Sequence, residues 1–145
     1  MGVYCDSTDM VQLFGWHEML ELSNLADHEA QDIDAAKVEA AIAYAEAEVN
    51  SYLGKFYSLA AVANLATVPV VLTNKTADIA RYQLDNLRAR EDVRQRYEDA
   101  LKWLAMVAKG LVDLGLPTNE PTAQGGAPDY FASDRVFTQD TLKDY

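Results

Sequence analysis

Two histidines, one cysteine and one crowd of acids are the side chains whose types could do chemistry in this 145-residue chain. His17 and His28 are eleven residues apart. Nucleophilic catalysis needs a Ser, Cys or Thr beside a base that a third group orients, and neither histidine stands in a motif of that kind. Cys5 is alone, so neither an internal disulfide nor a Cys-based zinc cluster is available, and a reducing cytoplasm is the natural place of synthesis. His28 sits in ADHEAQDID, where Asp27, Glu29, Asp32 and Asp34 crowd a loop ahead of a helix. Calcium wants six or more oxygens, but no glycine lies between Asp27 and Asp34 to fold the loop sharply. Acids at a helix start are accounted for by the helix dipole. No catalytic residue, metal or cofactor is expected.

Charge is the second chemical signal. The net −11 is uneven: residues 1–50 hold eleven acids and the single base Lys37, giving −10, residues 51–110 come to +3, and residues 111–145 to −4. Such a balance argues against wrapping nucleic acid, which relies on Lys and Arg releasing counterions. A negative wall that repels a passing duplex stays open, as does an acidic face kept for solubility. Arg88, Arg90, Arg94 and Arg96 form a basic cluster, interleaved with Glu91, Asp92, Glu98 and Asp99. One reading is a salt-bridged outer face. The other sets this flank against the acidic half of a neighbouring copy, with Glu39, Glu46 and Glu48 as counter-charges, since segregated charge suits head-to-tail contacts. Tyr44, Tyr52, Tyr57, Tyr82 and Tyr97 read as core or interface aromatics, because a base-stacking platform would come with positive charge around it.

The elements that carry these residues are helical. Asp6, Ser7 or Thr8 caps a short helix through Phe14 with Gly15 at its exit, and WHEMLELS adds a turn or two. Asp34 caps a helix whose Val38, Ile42, Ala45, Val49 and Tyr52 or Leu53 recur at three- and four-residue steps until Gly54. The same periodicity puts Glu39 and Glu46 opposite that stripe. Residues 55–68 are apolar without helical register and read as a loop or hairpin. Pro69 suits a first turn, and the helix 70–87 has two apolar sides, Leu72, Ile79 and Tyr82 on one, Ala80, Leu84 and Leu87 on the other, which makes it central. A last helix, about 90–109, buries Val93, Tyr97, Ala100 or Leu101, Leu104 and Val107 or Ala108, and Gly110 closes it. No strand pattern of length, no internal repeat, no signal pattern and no run of about eighteen apolar residues occurs, so neither export by that route nor a membrane span is expected. The fold class is all-α: a compact bundle of four to five helices over 1–116.

Residues 117–145 form the second part. PTNEPTAQGGAP, from Pro117 to Pro128, has three prolines and two adjacent glycines, so no regular element persists there. DYFASDRVFTQDTLKDY follows, with Tyr130, Phe131, Arg135, Val136, Phe137 and Leu142. It is too short to bury its own aromatics, and reads as an extended docking arm that wants another surface.

VYCDSTDMVQLFG at 3–15, VPVVLTNKTADIARYQL at 68–84, RQRYEDALKWLAMVAKG at 94–110, GLPTNEP at 115–121 and RVFTQDTL at 135–142 follow one another in an order that resembles the Mu-like phage head–tail connector family. The resemblance covers nearly the whole chain. It implies a virion structural protein of the neck, made in the host cytoplasm. Twelve copies would form a ring between the portal protein and the downstream neck or tail protein, with phage DNA passing through the lumen without sequence-specific binding. It further implies that the arm docks on the portal or on a neighbouring copy. A second reading keeps the charge and drops the ring: an acidic helical DNA mimic or host-protein inhibitor, whose mark would be carboxylates spaced like phosphates along one groove.

Overall fold

An aspartate opens the first helix. In this computed structural model, which describes residues 2–85 and 87–119, Asp6 caps α1 (Ser7–Phe14) by accepting from the Asp9 N–H at 2.9 Å, while Asp9 accepts from the Asp6 N–H at 3.0 Å. The reciprocal pair satisfies two donors that a helix start leaves open. Gly15, at φ +90°, turns the chain straight into α2 (Trp16–Ser23). Asp34 caps α3 (Ala35–Leu53) through the Lys37 N–H, and its own N–H donates to Ser23 Oγ at 3.1 Å, tying the end of α2 to the start of α3.

Val38, Ala41, Ile42, Ala45, Val49 and Leu53 make the buried stripe of α3, as the spacing predicts. The next stretch differs from expectation. Residues 55–68 are no hairpin: they hold a five-residue helix, α4 (Leu59–Ala63), whose Val62 is buried. Tyr57 just before it is fully buried and forms one isolated bridge with Thr118. Period alone misses a single turn of helix, because five residues cannot show a repeat of 3.6.

Pro69 is the N-cap of α5 (Val70–Leu84), which packs against α1, α2, α3 and α6 and is central as its two apolar sides require. It stops three residues short of the expected end. Asp85 takes the cap, its carboxylate accepts from the Arg90 N–H at 3.3 Å, and Leu87 is left 81% exposed instead of packed. α6 (Glu91–Ala108) buries Val93, Ala100, Leu104 and Val107. Gly110, at φ +71°, closes it: its N–H donates to the Val107 carbonyl and the Leu111 N–H to Met106. Only a residue without a Cβ enters that left-handed turn cheaply.

The all-α expectation holds among the described residues, with six helices and no strand. The chain then folds back on itself. Ser58 N–H donates to the Pro117 carbonyl at 2.9 Å and Asn119 N–H to Phe56 at 3.0 Å, so residues 117–119 lie along the 54–58 corner. Tyr130, Phe131, Arg135, Val136, Phe137 and Leu142 of the predicted arm lie outside the described residues.

Candidate functional site

The side chains most suited to catalysis stand apart. His17 is exposed with its ring edge-on to Trp16, at 5.4 Å between centroids, and His28 is exposed on the loop after α2. Burial, with Asp9, Asp6 and Glu46 adding to it, pushes the Cys5 thiol up to about 12, the reverse of what a reactive thiolate needs. Asp27 accepts from the Glu29 N–H and Asp34 caps α3. Among the described residues, no three His, Cys, Asp or Glu side chains are grouped to hold a metal ion.

The four arginines of the basic cluster have four different surroundings. Arg94 lies on the outer face between Glu91 at 2.7 Å and Glu98 at 3.0 Å. Arg96 reaches back to Asp78 on α5 at 3.6 Å, and Arg88 is exposed with no ion pair among the described residues. Arg90 is not a free flank at all. It reaches Glu18 on α2 and lies 3.6 Å from Asp85, so its charge is spent inside the subunit.

The acidic residues divide the same way. Glu39 is exposed, as the helix period predicts. Glu46 is not simply opposite the packed stripe: it is half-buried and accepts from the Tyr4 N–H at 2.7 Å, because the N-terminal segment crosses α3 there. Glu48 is turned inward too, accepting from the Tyr97 hydroxyl at 3.3 Å, with its other oxygen buried. Tyr97 stacks on Tyr82 with centroids 4.1 Å apart, and burial with the Glu48 charge pushes its hydroxyl up to about 12. Tyr57 is core, Tyr52 half-buried and Tyr44 half exposed, so the tyrosines are packing groups apart from Tyr44.

Sequence reasoning missed the strongest polar contact. Arg81 is only 8% exposed, donates through both Nε (3.0 Å) and Nη2 (2.7 Å) to Glu18 Oε1, and stacks its guanidinium 4.7 Å from the Phe14 ring. Sixty-three residues separate the partners. A lone arginine among the apolar residues of α5 was the available signal, since a buried charge requires a partner.

What remains open is apolar surface. Leu13 and Phe14 of α1, Val71, Asn74, Lys75 and Asp78 of α5, and Arg96 of α6 line a groove of about 280 Å³. Leu13 is 45% exposed, Val71 49% and Val70, at the lip of the same helix, 72%. Burial raises the Asp78 carboxyl against the pull of Arg96, Lys75 and Arg81. Lys75 makes no ion pair among the described residues. The groove is thus mixed in character: Leu13, Phe14 and Val71 are its apolar lining, and Asp78 within it pairs with Arg96.

The sequence profile of the family described as Bacteriophage Mu, Gp36 matches residues 4–132. Over 96 residues the chain is 43% identical to the Mu-like prophage FluMu protein gp36 of Haemophilus influenzae, an alignment that takes in 66% of this chain. It spans 65%, just under two thirds, of that curated relative's length.

Proposed function

The chain belongs to the bacteriophage Mu Gp36 family and is a phage protein; from that premise we propose that it is a head–tail connector. It acts as a structural adaptor of the virion neck, without catalysis. Twelve copies form a ring on the portal protein, extend the DNA channel and seat the next neck or tail protein. The arm, read from the sequence as 117–145, grips the portal or a neighbouring copy through its part beyond residues 117–119, which lie on the chain's own 54–58 corner, and phage DNA passes through the lumen without base-specific contacts.

The observation that carries this reading is apolar surface left on a well-packed bundle. Leu13, Trp16, Val70 and Val71 are each at least 45% exposed on a chain whose core is otherwise closed. Leu13 and Val71 line one groove, with Val70 next in the chain, and adjoining exposed apolar groups mark an interaction surface more often than scattered ones. No helix among the described residues is long and apolar enough to cross a membrane. Charge supports it in part: Glu39 and Arg88 remain exposed for contacts between copies, whereas Arg90, Glu46 and Glu48 serve the subunit itself. That internal use also leaves fewer carboxylates for the phosphate-like row of a DNA mimic.

Size-exclusion with light scattering, on the chain alone and mixed with portal rings, tests the proposal. The expected result is a monomer or weak oligomer alone and a ring-sized complex with the portal. A chain that stays monomeric beside the portal, in particles that nevertheless join heads to tails, would end it.

A further inference from the structure

We infer that the apolar patch at the end of the bundle where α3 and α6 stop is the seat of this chain's own residues 120–131. The inference stands apart from the connector reading and narrows it: gripping a partner is left to the part beyond 131, with Val136, Phe137 and Leu142.

The patch is contiguous. Phe56 is 38% exposed, Leu59 36%, Met106 42% and Leu111 71%. The Phe56 ring lies against Gly110, the Leu59 side chain lies against Gly54, and the Leu111 N–H donates to the Met106 carbonyl. Large apolar side chains adjoining in this way mark a surface that is covered by something. Two cations stand among them. Lys55, between Gly54 and Phe56, and Lys109, just before Gly110, are both exposed, and neither has an ion pair among the described residues. Lys55 lies 5.7 Å over the Tyr52 ring and is otherwise uncompensated there. A complementary cover brings rings and acids and no base.

Residues 120–131 read EPTAQGGAPDYF: two acids, Glu120 and Asp129, no base, and the rings of Tyr130–Phe131 at the end. The point of departure selects the chain's own copy. Asn119 donates its N–H to the Phe56 carbonyl and its side-chain amide to the Gly54 carbonyl, so the segment leaves from within the patch and Glu120 follows beside Lys55. Gly125 is six residues beyond Asn119, and Phe131 is five beyond Gly126. The outward and returning legs are therefore matched, each about 20 Å at most, and a glycine pair turns without steric cost. The rings come back to Leu111 and Met106 with Asp129 at Lys109. So short a tether sets an effective concentration on the order of millimolar, which the same patch on a separate copy does not match in dilute solution. Seating here continues the contact that residues 117–119 already make with the 54–58 corner.

The experiment places a nitroxide on Ser133→Cys in the full chain and reads relaxation at the backbone amides. The native Cys5 is 2% exposed and takes no label. The expected result on the isolated chain is broadening at Phe56, Leu59 and Leu111 at least about fivefold above that at Lys37, which lies about 25 Å from Gly54 along α3, and no change on dilution. Lys55→Glu with Lys109→Glu reverses two exposed charges, leaves the fold intact and should cut the broadening about threefold. An equal mixture of nitroxide-bearing chain and isotope-labelled wild type separates the copies: broadening of the wild type's patch as strong as within one chain would overturn the inference in favour of a neighbour's patch. No excess over Lys37 within one chain would overturn it as well. Light scattering of the same preparation with portal rings reads the connector proposal separately. Portal binding without the broadening sinks this seat alone, and broadening without portal binding upholds the seat and ends the connector reading.

Discussion

Glu18 is held in place by two arginines from distant parts of the chain, and replacing it by glutamine tests how much of the fold depends on them. Arg81 is nearly buried, so removing its nearer counter-charge leaves a poorly solvated cation with only the exposed Asp92 carboxylate, 3.8 Å away. Breaking such a pair costs about 3–5 kcal/mol when fully buried; Arg90, half exposed, lowers the expected loss to about 2–3 kcal/mol by urea denaturation. pH gives a second reading. Burial pushes the Glu18 carboxyl up, but hydrogen bonds from Arg81 and then Arg90 outweigh it and hold the group below its ordinary range. A depressed folded value contributes stability that is complete above the unfolded value of about 4.3 and is lost as pH falls through the folded one. Glu18→Gln should therefore flatten the loss of stability below about pH 4.3; an unchanged acid limb would contradict the account. At this scale the sequence was legible only in part. Asp34 was readable as a cap, and Asp6 as one of three candidates with Ser7 and Thr8, because capping is local, whereas the Glu18–Arg81 contact spans sixty-three residues and has no local signature. Glu46, placed by helix period opposite the stripe, is covered for the same reason: period sets a residue's direction but not what crosses over it.

Between helices, two small features hold the end of the bundle. The Tyr57 hydroxyl accepts from the Leu114 N–H at 3.0 Å and lies 3.5 Å from the Val112 carbonyl, so it fastens the segment after α6 to the corner after α3. Tyr57→Phe leaves a backbone donor without its partner at about 1–2 kcal/mol. Thermal melting should show that loss, and amide exchange at Leu114 should quicken at least tenfold while α5 amides keep their order. Gly110→Ala meets a different obstacle. A left-handed turn costs a Cβ-bearing residue about 1 kcal/mol, and the added carbon would lie 3.0 Å from Phe56 Cε2. We expect about 1–2 kcal/mol of destabilisation, with Phe56→Leu in the same chain recovering part of it; an alanine with wild-type stability would contradict the strained closure. The long helices were readable because the Asp34 cap, the period and Gly54 agreed along α3, Pro69 and two apolar sides marked α5, and the period with Gly110 marked α6. α4 was not, being shorter than two turns, and α5 was read too long because Leu87 fits the period while Asp85 and Arg90 close the turn.

Across the whole molecule, charge separates into what stabilises the subunit and what is left for partners. Glu39→Lys changes an exposed group and should shift stability by less than about 0.5 kcal/mol, whereas Glu46→Lys removes the acceptor of the Tyr4 N–H and should cost about 1–2 kcal/mol. Equal melting temperatures for the two would show that the N-terminal crossing contributes nothing. Deleting residues 128–145 should leave that bundle folded, since its core is built from α1 to α6. The account's central claim concerns assembly, and it is tested most directly by weighing portal rings after mixing with the full chain and with the chain lacking 128–145. The account predicts that each ring gains one full-length chain per portal subunit and that the shortened chain, still folded by circular dichroism, adds none. Portal rings that gain no mass from the full-length chain would contradict it.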